Sequence, residues 1–375
     1  MARLAGRLFE VDPGLSRALT HGFHSYAGRM HPSTARGAVE AWSKPGQRVL
    51  DPFCGSGTVL VEAMAAGRSA VGIDASPLAI LIARVRSTVL DEAGRSRLVA
   101  SAQELSVAAA ERARKRIRPQ IPAWASRENT RFSPHVALEL LGLRELVGAT
   151  DEDAVGMALR ACFSSILVKF MRQPESGPGE AVQRIGRGVP SRFFAGRAEE
   201  LALALAGLAQ RTPASTPAPE IHLGDARHID SVRDCSFDLV VSSPPYAGTY
   251  HYAEHHDVRF LWLGLPREKF DRVQVGARTE DLGSPAKRWE KDRRHWLGEM
   301  GRVTKPGATL VLEIGDGVVG RAAEDAAEAI RFDAPKVGLE LVAGAFQARP
   351  PRDRRLSEIF AGRPRREHIL VLRKS

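Results

Sequence analysis

Residues 48–74, RVLDPFCGSGTVLVEAMAAGRSAVGID, leave a chain few ways to fold. RVLD (48–51) and SAVGID (69–74) are apolar runs of strand length, separated by a glycine loop and by a stretch, GTVLVEAMAAG, with helical patterning. Strand, loop, helix and strand in that succession predict a parallel βαβ unit. Ahead of it, HPSTARGAVEAWSKPG has apolar residues at helical spacing after a proline start and stops at Pro45-Gly46. From Ser76 to Gln210 the pattern is helical, with breaks at RPQIPAW and RQPESGPGE, and TPASTPAPE (212–220) reads as a Pro-rich linker. Beyond the linker, strands are predicted at 221–226, 237–242, 308–315, 341–347 and 368–374, with helices at 286–305 and 321–332 between the later ones. The pattern predicts a doubly wound, mostly parallel α/β sheet, interrupted by a helical insertion between the second and third strands.

Gly55 and Gly57 stand where the first strand turns into a helix, so the backbone can approach a ligand closely and the helix start offers free amides. About 20 residues on, Asp74 ends the second strand, where a carboxylate can accept hydrogen bonds from two ribose hydroxyls. A dinucleotide is the rival ligand, but GSGTVLV lacks the third glycine of G-x-G-x-x-G. Asp51, ahead of the turn, suits a ligand with an ammonium group and would repel a pyrophosphate. S-adenosyl-L-methionine carries that ammonium together with ribose and adenine. The stretch DPFCGSGT resembles motif I, D-x-F-x-G-x-G, of the amino-methyltransferases that modify exocyclic amines of DNA bases. The resemblance implies a class I, Rossmann-like fold with a seven-stranded, mostly parallel sheet. It implies that Asp51, Pro52, Phe53, Gly55, Gly57 and Thr58 line the methionine side of the cofactor, that Asp74 holds the ribose and that Asp225 sits near the adenine amino group. A turn or cap after the strand is the plain alternative for Asp225. HGFHSYAGRMHP (21–32) resembles the family's motif X, which closes over the methionine end, with His24, Ser25 and Tyr26 as candidates for contact with the cofactor; a packed N-terminal arm is the plain alternative for each side chain. Cys54 is expected to be a small packed residue, since the Pro-Cys nucleophile of cytosine C5 chemistry is absent.

In DLVVSSPPYAGTYHY (238–252), two prolines and a tyrosine follow a buried-type strand. An exocyclic amine is a poor nucleophile, because its lone pair is delocalised into the ring. Methylating it requires hydrogen-bond acceptors and fixed alignment with the methyl sulfonium. Prolines fix φ and remove backbone donors, and a tyrosine offers a π face to a base taken out of its duplex. Ser243-Pro244-Pro245-Tyr246 is similar to motif IV of the same family, (Asp/Asn/Ser)-Pro-Pro-(Tyr/Phe/Trp). That resemblance makes Ser243 and the Pro244 carbonyl the acceptors, Pro245 the stiffener and Tyr246 the stacking platform. No general base stands out, and the proton is expected to leave through water after methyl transfer. Serine at the first position leans towards cytosine N4. Adenine N6 is the first alternative, and an RNA base methyltransferase of the guanine N2 type is the second. A nucleic-acid-binding protein with a degenerate cofactor site is the alternative from another class. His251, His255 and His256 are metal-ligand types, but this chemistry needs no metal, and a wet helix face or phosphate contacts are expected for them.

A net charge of +10 over 375 residues, carried mostly by arginine, points to a polyanionic partner, although a solvated basic surface gives the same count. DNA is the expected partner, with RNA second. Residues 1–90 and 218–375 are expected to form the two parts of the methyltransferase domain. The helical stretch 91–217 reads as an insertion that is either a DNA-contacting region, through ERARKRIRPQIPAWASRENTR, whose arginines and Trp124 suit phosphates and stacking, or a helical cover on the sheet with a basic outer face. Two further basic segments, 284–294 and 349–367, flank predicted strand ends. Three cysteines without pair spacing predict neither a disulfide framework nor a zinc site. The first residues lack the apolar core of a signal peptide, and no run reaches the roughly 20 apolar residues of a membrane span, so a soluble, cytoplasmic protein is expected.

Overall fold

The computed structural model describes all residues except 116, 126–130, 173–184, 277–284, 351–353 and 362. Its strands are β1 (Arg48–Asp51), β2 (Ser69–Asp74), β3 (Glu220–Leu223), β4 (Phe237–Ser242), β5 (Thr304–Gly315), β6 (Gly317–Val319), β7 (Ala322–Glu324), β8 (Leu339–Arg349) and β9 (Arg365–Lys374). Seven of them form one sheet in the order β3-β2-β1-β4-β5-β9-β8, and β6 pairs with β7 in a separate hairpin. The first five strands of that order are parallel, and β9 lies antiparallel between β5 and β8. This is the seven-stranded, mostly parallel Rossmann-like α/β sheet that the sequence predicts.

The central strands read as unbroken apolar runs because both of their faces are covered. Val49, Leu239, Val241 and Val311 enter one core, shared with Ala35, Val39, Leu60 and Ala63. Leu50, Val240, Leu310 and Leu312 enter the opposite core, with Trp296, Met300 and Ile330. Each such side chain contributes roughly 1.5–3 kcal/mol through burial. The covering helices are α1 (Ala2–Arg7), α2 (Pro32–Trp42), α3 (Thr58–Ala65) and α4 (Pro77–Arg86) from the first part of the chain. Their starts follow from the sequence: Pro32 and Pro77 occupy first-turn positions, and Ser76 caps the Ala79 amide.

The insertion contributes α5 (Glu92–Arg114), α6 (Pro134–Gly148), α7 (Ala154–Leu167) and α8 (Val189–Arg211). Asp91 and Asp153 cap the starts of α5 and α7. These helices share a third core, built on Leu98, Leu140, Phe163, Phe194 and Leu201, which Phe23 and Trp262 also enter. The insertion is therefore packed against both the N-terminal segment and the stretch after the proline corner. That stretch holds α9 (Tyr252–His255), α10 (Asp257–Leu263) and α11 (Arg267–Val273), followed by α12 (Pro285–Val303), α13 (Ala326–Asp333) and α14 (Arg354–Ile359).

Several boundaries differ from the sequence reading: β5, β8 and β9 each begin two to four residues earlier than expected, α12 ends at Val303, and two further differences have a local cause. The strand expected over 221–226 ends at Leu223, because Asp225 turns back to accept the Arg227 amide. The helix expected over 321–332 starts only at Ala326, capped by Asp325, since residues 322–324 pair as β7. Among the described residues, no helix is long and apolar enough to cross a membrane.

Candidate active site

Strand order reverses between β1 and β4, so the carboxyl ends of these neighbours open a crevice, the usual ligand position in an open α/β sheet. Asp51 ends β1 and Ser242 ends β4, and the Ser242 hydroxyl donates to Asp51 Oδ1 at 2.7 Å. That bond fastens the glycine loop to the proline corner. The Asp51 carboxylate is buried and also accepts the Phe53 amide; burial pushes its pKa up to about 7, against the pull of these two donors.

Beyond Asp51 the loop turns through Gly55 and Gly57, both with positive φ, and Gly57 caps α3. A side chain at Gly57 would also press on Ala83, 3.1 Å from the position of its Cβ. Cys54 is buried below the loop, with its thiol pushed up by burial, and packs against Gly72 of β2, as expected of a packing residue. Thr58 starts α3 and is buried.

Asp74 receives the Gly55 amide at 2.9 Å and the Ser76 amide at 2.8 Å. Burial raises it to about 6, although both amides favour the charge. A carboxylate has about four acceptor positions, so two amides leave room for two hydroxyls.

These elements border an open cleft, whose wall includes Tyr26, Pro52, Phe53, Gly55, Asp74, Asp225, Ser243 and Pro245. Predicted residues from five separate segments thus meet in one space. Asp225 is there, but its carboxylate is bound on both oxygens by Arg227, which also reaches Asp292. Burial alone would raise the Asp225 carboxyl; the arginine holds it below the ordinary range. It forms the turn that the sequence reading gave as the plain alternative, and it also borders the cleft.

Other predicted residues stand behind the wall. His24 departs from its expected place beside the cofactor: it is buried, with Nε2 3.0 Å from Ser164 Oγ of α7, so it ties the N-terminal segment to the insertion. Burial and the nearby Arg259 push its pKa far down, leaving it neutral. Pro244 is buried. The Tyr246 ring rests on Gly315, where an added Cβ would lie 2.6 Å from ring carbons, and its hydroxyl donates to Glu367 Oε1 at 2.9 Å.

Several wall residues were not read from the sequence: Tyr252, Phe270, Val273 and Val275 line the cleft from the segment after the corner. The aromatic cluster in GTYHYAEHHDV was the available signal. His256 corrects the expectation of a wet face, since it is buried, stacks on Tyr26 at 4.7 Å between ring centroids and accepts from Arg259. Burial drives its pKa down to about 2, so it packs as a neutral ring. Trp124 likewise turns inward, edge-on to Trp262 and under Arg144, so it is not displayed for base stacking. Part of the basic stretch that contains Trp124 lies outside the described residues, as do parts of 284–294 and 349–367. Arg293 of the second stretch is buried and paired with Glu324 and Asp333. Asp316, Asp325 and His368 bring ligand-type atoms within 4.8 Å of one another, but Arg366 bridges both carboxylates and His368 bonds Asp316, so the group is satisfied internally.

The segment carrying Tyr26, the glycine loop and Asp74 is also where a family is recognised. Residues 21–84 match the family model N6_N4_Mtase, described as DNA methylase. This chain is similar to DNA methylases. Over 291 residues it is 25% identical to the Type II methyltransferase M.MvaI of Kocuria varians, which covers 71% of this chain and 63% of that protein. Over 66 residues it is 41% identical to the Type II methyltransferase M.MjaII of Methanocaldococcus jannaschii, covering 18% of this chain and 12% of that protein. The matched stretches span less than two thirds of either relative. Among solved structures, the rRNA methyltransferase AviRa from Streptomyces viridochromogenes aligns over 98% of this chain and 96% of its own, at 11% identity and a TM-score of 0.38.

Proposed function

We propose that this protein is a DNA methyltransferase that moves a methyl group from S-adenosylmethionine to an exocyclic amine of a DNA base, cytosine N4 first and adenine N6 second. The observation that carries the proposal is the shared cleft: Asp74 and Gly55 form one side, Ser243 and Pro245 the other, although about 170 residues separate them in the chain. The relatives named Type II methyltransferases support DNA as the substrate.

The residues present fit the cofactor. Asp74 retains acceptor capacity for the ribose hydroxyls, Phe53, Phe270, Val273 and Val275 give apolar walls suited to adenine, and the buried Asp51 beneath the loop favours an ammonium. The cofactor supplies an electrophilic methyl on a sulfonium. Ser243 and the Pro244 carbonyl accept from the target amine and orient its lone pair, and Pro245 stiffens the corner. Tyr246 offers a ring face to a base flipped from the duplex. A neutral serine in place of a carboxylate or amide underlies the preference for cytosine. The insertion and its arginines are proposed to hold the DNA backbone, which positions the strand without reading it.

Tritium transfer from labelled cofactor to DNA and RNA, followed by nucleoside analysis, tests this reading. N4-methylcytosine in DNA is expected. Label in RNA alone would overturn the DNA assignment, and N6-methyladenine would shift the target base.

A further inference from the structure

The basic segment 349–367, with seven arginines against three carboxylates, is carried by the sheet to the neighbourhood of the cleft. β9 runs antiparallel to β5 and pairs Glu367 with Gly315, and β8 ends where Arg349 pairs with Arg365. The end of β8 and the start of β9 therefore lie at the carboxyl edge of β4 and β5, where the cleft opens. In the sheet order they stand beyond β5, on the side away from β2 and β3, between which the insertion leaves the sheet. Two sets of contacts fix the segment to the proline corner. Leu356 and Phe360 pack on Val318 of β6, and the Val318 amide donates to the carbonyl of Ala247, next to Tyr246. The Tyr246 hydroxyl donates to Glu367 Oε1 at 2.9 Å, and Glu367 Oε2 accepts from Arg349 Nε and Nη2 at 2.9 and 2.7 Å. The Arg349 guanidinium is thus two hydrogen bonds from the tyrosine ring. Glu367 occupies one edge of it and leaves the two N–H donors of Nη1 for another acceptor, on a side chain that is 53% exposed. Arg354 is 93% exposed and pairs with Glu358 one turn on, and Arg363 is exposed as well. Arg365 and Arg366, by contrast, are taken up by the Asp316 carbonyl and by the Asp316 and Asp325 carboxylates.

We propose that Arg349, Arg354 and Arg363 form a backbone-binding surface for DNA beside the proline corner. The proposal rests on the methyl-transfer reading of the cleft, and it gives the strand a second hold, at the other end of the sheet from the insertion. An exposed guanidinium takes a phosphate oxygen through charge-assisted hydrogen bonds, which positions the strand without reading its bases. Because the segment is anchored to Ala247 and Tyr246, phosphates held there flank the nucleotide whose base enters the cleft. The nearby carboxylates do not cancel the surface. Glu367 is held between Tyr246 and Arg349, and an exposed i,i+4 pair such as Arg354–Glu358 is weak enough to give way to a phosphate.

The test titrates the full chain into a fluorescein-labelled DNA duplex of mixed sequence and reads Kd by anisotropy between about 50 and 200 mM salt. Arg349→Gln, Arg354→Gln and Arg363→Gln are each expected to weaken binding by up to about 10-fold near 0.1 M salt. Each should also lower the slope of log Kd against log salt by about one, and the triple variant by about three. Arg349→Lys keeps the charge but loses the two-pronged contact with Glu367, and should keep the wild-type slope. Arg373→Gln removes an exposed charge at the opposite end of β9 and should leave Kd and slope unchanged. Cofactor affinity by calorimetry and the melting temperature should stay near wild type in every variant. Wild-type slopes in the three Gln variants, or an equal loss in Arg373→Gln, would overturn the surface. A wild-type protein that binds the duplex and the cofactor, yet transfers no tritiated methyl group to PCR-amplified, hence unmethylated, genomic DNA, would instead overturn the methyl-transfer reading.

Discussion

Single residues in the cleft hold structure with the same atoms that the proposal assigns to the ligand. Asp74 fixes Gly55 and Ser76 while facing the space assigned to ribose, so Asp74→Asn should weaken cofactor binding by about 10- to 100-fold, the scale of charge-assisted hydrogen bonds. Calorimetric titration measures it, and unchanged affinity would remove Asp74 from the cofactor site. Gly57 has φ +81° and a close neighbour in Ala83. Gly57→Ala should therefore cost about 2 kcal/mol by urea denaturation. Titration gives a third prediction. Glu313 and Asp51 have folded pKa values near 8 and 7, above their unfolded ones, so the folded state holds extra protons and stability falls as pH rises through that window. Below about pH 6.5 the buried neutral His21 and His256, with pKa values near 4 and 2, act in the opposite sense. The fall should therefore be visible from pH 6.5 to 8, on the order of 1–2 kcal/mol, and Glu313→Gln should flatten most of it. A melting curve that rises over that range would contradict the assignment.

Elements are joined here by buried charge as well as by apolar packing. Arg86 of α4 is fully buried; it donates to the Thr20 and Ser56 carbonyls and contacts His21, which bonds Glu62 of α3. Arg36 of α2 closes the chain on Glu62. This network holds the glycine loop against the N-terminal segment, and burial lowers Arg86 to about 9. Arg86→Ala should cost about 3–5 kcal/mol in chemical denaturation, the range for breaking one side of a buried charged group. None of this was legible in the sequence, where an arginine in the last turn of a helix reads as an ordinary surface residue complementing the helix dipole. What was legible had a local physical signature. RVLD and SAVGID are apolar on both faces, the helix starts carry Pro, Ser or Asp, and Asp74 stands at the end of a strand beside the glycine loop. The β6–β7 hairpin was not, because three-residue strands leave no periodicity to count. His256 and Trp124 were misjudged for a related reason: exposure of a polar or aromatic side chain on a short segment is set by tertiary partners, here Tyr26, Arg259 and Trp262.

At the scale of the whole molecule, the sheet brings residues 51–74 and 225–246 to one edge, and the insertion between them packs on the segments that frame the cleft. A net charge of +10 adds long-range attraction for a polyanion, so association with DNA should weaken steeply with added salt. The sheet order and the shared cleft together make base methylation the central functional claim. Its most direct test is the sequencing of modified bases in DNA from cells that express the wild-type protein or Tyr246→Ala. N4-methylcytosine at one recurrent sequence in the wild-type DNA, and strongly reduced in the variant, is the expected result. DNA without new methylated bases from cells that accumulate folded, cofactor-binding protein would contradict it.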